Sequence, residues 1–193
     1  MLGRDEPQVK RIYYFTHYLS FFSILLFSTA FSIHTELYIL QKLNQFGIYQ
    51  SFMDVFSESH IKLTLWFVLF LLYFMVFSAM KLISDMMLEL SLYFFSKGDR
   101  HPVVPRHSGG LYFLIHSVLA VFFVQSFAIL VFLYLLGNLI VFSFILYHLK
   151  DQFTWMGKAG LLFMHGFFWL VFFTTVFYAG LKLYNGFMRS LGV

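Results

Sequence analysis

An all-α polytopic transmembrane helix bundle is the fold class this sequence predicts, and three observations predict it. Hydrophobic residues make up 60% of the chain and charged residues only 11%, with a mean hydropathy of +0.78. A soluble domain carries about 25% charged residues and roughly 45–50% apolar ones. With 193 residues, a water-soluble fold has too little interior to hide so much apolar surface. The apolar residues are also gathered into long uncharged runs bounded by Lys and Arg, as helices that cross a bilayer are. The bilayer is the solvent, and a single integral membrane domain over 1–193 is expected in the cell (cytoplasmic) membrane.

Ile12 to Ile33 lacks charge and follows Arg4, Lys10 and Arg11. The apolar part of a cleaved signal peptide is only about 7–15 residues, so this longer run reads as an uncleaved span. Leu63 to Met80 is the second, closed by Lys81, and Gly160 to Leu181 is the last, closed by Lys182 and Arg189. Between them Leu111 to Leu149 carries no formal charge. It accommodates either two spans joined by a tight turn, or one span, Leu111 to Leu135, broken at Gly137-Asn138 and followed by an interfacial segment. The first reading gives five spans and the second four. The distribution of basic residues serves both equally, and both put the N-terminus and the 81–110 loop in the cytoplasm.

A weak internal repeat favours four. Phe15-Thr16-His17-Tyr18-Leu19 recurs in type as Ile115-His116-Ser117-Val118-Leu119, and Val76-Phe77-Ser78-Ala79-Met80-Lys81 as Val176-Phe177-Tyr178-Ala179-Gly180-Leu181-Lys182. Two parallel copies, 12–83 and 111–184, joined by the cytoplasmic loop 84–110, would form a known membrane architecture.

The outer connection, Leu37 to Glu58, has Ile39, Leu43 and Phe46, then Ile48, Phe52 and Val55, at helical spacing on either side of Gly47. It predicts two short amphipathic helices in the headgroup region. Past the second span, Lys81, Asp85 and Glu89 are four residues apart, a spacing for surface ion pairs. The Pro- and Gly-punctuated stretch after Ser96 reads as a basic linker.

The residues exclude more chemistry than they suggest. No cysteine is present, which removes disulfides, thiolate metal sites and a cysteine nucleophile. The chain contains no G-x-S-x-G, H-E-x-x-H or phosphate-binding loop, and the spans hold no Asp, Glu, Lys or Arg at their centres, where ion-coupled transporters keep them. The expectation is a chain that is not an enzyme, has no catalytic residues, carries no cofactor and does not bind nucleic acid; its net charge of +4 orients the spans instead. The remaining polar candidates are His17, His116 and His165 as metal or haem ligands, since imidazole suits iron, copper and zinc. In the repeat, His17 and His116 fall at matching depth. His34, Glu36, Glu58, His60 and His148 would gather at the outer boundary. Gln125 and Asn138 are candidate pore or helix-contact amides, and Ser28 and Ser32 form a small-xxx-small pair suited to close helix packing.

Phe31-Ser32-Ile33-His34-Thr35-Glu36, Phe74-Met75-Val76-Phe77-Ser78-Ala79-Met80-Lys81-Leu82-Ile83-Ser84-Asp85 with Glu89-Leu90-Ser91-Leu92, Phe167-Phe168-Trp169 and Leu183-Tyr184-Asn185 together resemble the YufK-like family of small uncharacterised bacillar membrane proteins. The resemblance runs over the whole chain and implies the cytoplasmic membrane of a Gram-positive bacterium. It brings no activity, substrate or functional residue. Three functional classes follow: a non-enzymatic membrane subunit or scaffold that binds the bilayer and other membrane proteins or itself, a small transporter or channel of two parallel repeats, and a haem- or metal-binding membrane protein.

Overall fold

A computed structural model describes residues 6–96, 106–148 and 153–190, with side chains from Tyr18 in the first stretch and from Gly109 in the second. The elements are α1 (Glu6–Gln45), α2 (Ile48–Met53), α3 (Glu58–Phe95), α4 (Arg106–Phe122), α5 (Phe127–His148) and α6 (Trp155–Ser190). The chain is an all-α membrane helix bundle. Four helices are long and apolar enough to cross a membrane: α1 from Tyr18, α3, α5 and α6, with α4 a shorter apolar helix. A helix satisfies every N–H and C=O within the segment, as lipid-exposed backbone of this length requires. The prolines respect this: Pro7 lies in the first turn of α1, and Pro102 and Pro105 precede α4 in sequence.

Local chemistry ends the helices. Gly47 takes a left-handed φ of 71° after α1, and its N–H donates to the Asn44 carbonyl; glycine adopts this conformation without steric cost. Ser57 opens α3, its carbonyl accepting from His60 and Ile61 N–H while its hydroxyl bonds His60 Nδ1 at 2.9 Å. Of the two amphipathic helices expected in the outer connection, the first is the end of α1 and only the second, α2, is separate.

The Leu111–Leu149 run folds as two helices, and its break differs from the expected one. The chain turns at Phe123–Ser126, where Phe123 N–H donates to Ala120 O and Ser126 N–H to Phe123 O. Gly137 and Asn138 lie inside α5. Asn138 remains helical because its amide donates to the Tyr134 carbonyl one turn back, at 2.7 Å. Gly137 brings the backbones of α4 and α5 together: a Cβ there would stand 3.1 Å from the Phe113 ring and 3.3 Å from His116 Cβ. The stretches paired as a repeat therefore differ. Residues 12–33 belong to one unbroken helix, and 111–135 doubles back.

The chain falls into two units, Met1–Ile83 with Val104–His148, and Ser84–Val103 with Leu149–Val193. In the first, Phe27 meets Phe113 and His34 meets Val124, so α1 and α4 run parallel. Phe27 also meets Tyr134, and Phe31 meets Phe127, so α5 runs the other way. The core is aromatic. Phe27, Phe31, Phe77, Phe113 and Tyr134 close around Ile24, Ala30, Ala120 and Leu130, with Phe77 and Tyr134 stacked at 4.6 Å. Lipid tails are as apolar as these side chains, so helix association rests on packing, and such ring pairs contribute about 0.5–1.5 kcal/mol each. In the second unit the tail of α3 buries Leu88, Ser91 and Leu92, and the start of α6 buries Leu161 and His165. The Phe95 ring fills the notch at Gly160, and Ser96 pairs with Phe153 in a single antiparallel bridge.

Candidate functional site

The polar groups within the first unit are the natural place to look for chemistry, and nearly all are turned onto backbone. Ser23, Ser28, Ser32 and Ser117 are fully buried. Their hydroxyls donate to carbonyls three or four residues back: Leu19 at 2.8 Å, Ile24 at 2.7 Å, Thr29 at 2.8 Å and Leu114 at 2.7 Å. This back-bonding lets a small polar residue sit at a helix contact without stranding a donor. The Ser28–Ser32 pair thus lies wholly inside the packed region. Among the described residues, no Asp, Glu, Lys or Arg is buried.

The described histidines of the first unit take separate partners. His17 lies on α1, and its side chain is outside the described residues. The α1–α4 register set by Phe27–Phe113 and His34–Val124 places His116 level with residues 26–30 of α1. At 1.5 Å per residue that is about 14 Å or more from His17 along the helix. The matched depth expected from the repeat is not present. His116 Nδ1–H donates to the Tyr112 carbonyl at 2.7 Å and the ring lies against Gly137. His165 is buried in the second unit, on α6.

The outer cluster is also divided. His34 stands beside Phe127 at the first turn of α5, with ring centroids 5.6 Å apart, whereas His148 ends that helix. An α5 of 22 residues is about 33 Å long, so the two lie at opposite ends of it. His148 bonds the Phe144 carbonyl at 3.0 Å, His60 is engaged by Ser57, and Glu58 pairs with Lys62. Among the described residues, no three His, Asp or Glu side chains are placed to hold a metal ion.

The amides separate likewise. Gln125, expected within an apolar span, sits exposed in the α4–α5 turn, because a polar Gln-Ser pair is where the chain reverses most cheaply. Asn138 is half-buried and committed to its own helix. Two contacts escaped sequence reasoning, His34 Nδ1 to Val124 O at 2.7 Å and Thr35 Oγ1 to Tyr73 Oη at 2.8 Å. Both join α1 to another segment near the α4–α5 turn. Their only sequence signal was two polar residues following a long apolar run.

The arrangement in the first unit is a ring-filled core whose buried serine hydroxyls are bonded to backbone. Comparison with known proteins agrees with the membrane character and goes no further. The chain is 35% identical over 181 residues, covering 93% of its length and 98% of the relative, to a Bacillus subtilis (strain 168) protein described as uncharacterised membrane protein YufK. No solved structure matches it. Residues 36–192 match a family of unknown function, DUF5366, and the chain belongs to that family of YufK-like membrane proteins.

Proposed function

We propose that this protein is a non-enzymatic membrane subunit, working by contact with other membrane proteins or with copies of itself. One observation carries the reading: the first unit is closed by aromatic packing, and its buried serine hydroxyls are all bonded to their own helices. A transporter needs groups that water or a solute can reach at depth. Here Asn138 faces its own backbone and Gln125 is in the turn. A haem or shared-metal site needs two or more convergent ligands, and the described histidines of the first unit are bonded to separate partners.

The proposed topology follows from helix direction. The N-terminus is cytoplasmic, with Arg4, Lys10 and Arg11 before the first span. The second half of α1, at His34, lies beside the α4–α5 turn, and α4 starts toward the opposite end, so α3 must carry the chain back across. α4 goes out again, α5 returns, and α6 is the fifth crossing, leaving the C-terminus outside.

Gentle extraction followed by native mass measurement tests the subunit reading. The expected result is a particle heavier than the 22.8 kDa chain, holding a second membrane polypeptide or further copies in fixed ratio. A lone chain that passes solute when reconstituted refutes it.

A further inference from the structure

The α4–α5 turn poses a physical problem that His34 resolves. The turn exposes Phe122, Phe123 and Phe127 on either side of Val124-Gln125-Ser126. Three large apolar rings flanking an exposed Gln125 put the reversal at the membrane boundary, with the rings toward lipid and the amide toward water. Backbone that leaves the helix in such a place must find partners within the protein. The turn satisfies some groups locally, through Phe123 N–H to Ala120 O, Ser126 N–H to Phe123 O and Leu130 N–H to Ser126 O. The Val124 carbonyl takes its partner from another helix: His34 Nδ1–H at 2.7 Å, with the imidazole tilted against the Phe127 ring.

We propose that His34 is a latch, a positioning residue whose N–H holds the α4–α5 turn on α1. The latch stands where α1 leaves the packed core and continues toward Gly47 and α2. Next to it, Thr35 bonds Tyr73 of α3, so adjacent residues of α1 fasten the hairpin on one side and α3 on the other. A rearrangement of the outer connection that turns α1 at this level releases the hairpin, and the hairpin cannot shift while His34 is engaged. The interaction joins the outer connection and the α4–α5 pair into one conformational unit.

Two substitutions separate the hydrogen bond from the ring. His34→Phe keeps an aromatic ring against Phe127 and removes the donor. His34→Asn loses the ring and keeps an N–H at the position of Nδ1. Hydrogen exchange of the 120–130 backbone, measured on the full chain in lipid nanodiscs, reads the result. The turn is expected to exchange about three- to tenfold faster in H34F, the change that loss of one net hydrogen bond produces, and at the wild-type rate in H34N. Exchange in H34F equal to wild type, or exchange in H34N as fast as in H34F, overturns the proposal. The same contrast can be read without purification, since the chain has no cysteine. A Gln125→Cys background labelled by maleimide in intact membranes is expected to react faster with H34F and unchanged with H34N, and any other pattern counts against the latch.

Discussion

At the scale of single residues, the helix contacts depend on what is missing from glycine and on what serine does with its hydroxyl. A Cβ at Gly157 would stand 2.6 Å from the Phe95 carbonyl oxygen, and one at Gly160 2.5 Å from the Phe95 ring. A ring can rotate away, but the Phe95 carbonyl is backbone and moves only with the chain. Gly157→Ala is therefore expected to destabilise by about 1–3 kcal/mol, the usual cost of overpacking, and by more than Gly160→Ala. Gly180, with nothing within 4 Å, is the control: Gly180→Ala is expected to be neutral or to stabilise by up to about 1 kcal/mol through helix propensity. Unfolding in mixed micelles ranks the three, and an equal effect at Gly157 and Gly180 contradicts the packing described. Ser28→Ala removes a hydroxyl whose partner is its own helix, so a loss within about 1 kcal/mol is expected in the same assay.

At the scale of elements, the hairpin of α4 and α5 separates what was legible in the sequence from what was not. α3 and α6 contain the apolar runs expected of them, because length and composition alone mark a span. The extent of the uncharged region at 111–149 was equally plain. Its break was misplaced because Gly137-Asn138 has turn chemistry in isolation, whereas helix packing gives both residues a use inside α5. Gln125-Ser126 gave a weaker local signal and became the reversal. The level of His116 along α1 was not legible either: a register set by tertiary contact is invisible to an offset counted along the chain. A peptide epitope inserted after Gln125 is expected to be reached from outside intact cells. If the epitope is reached only after the cells are opened, the assigned direction of α4 is wrong.

At the scale of the whole molecule, the parity of crossings and the state of the core decide what the protein can do. The proposed five crossings place the C-terminus outside, so a reporter fused after Val193 is expected to be active on the outer side; activity in the cytoplasm restores the four-span reading. The claim that this protein acts by contact rather than by passage rests on a core that water does not enter. Replacing Ser28, Ser32 or Ser117 singly by cysteine changes one atom at a fully buried site in a chain with no other thiol. Reaction of each with a small water-soluble maleimide in native membranes is the most direct test. The expected result is no labelling at any of the three until the membrane is dissolved in denaturant. Rapid labelling of all three in the intact membrane would reveal an aqueous path along α1 and α4 and contradict the account.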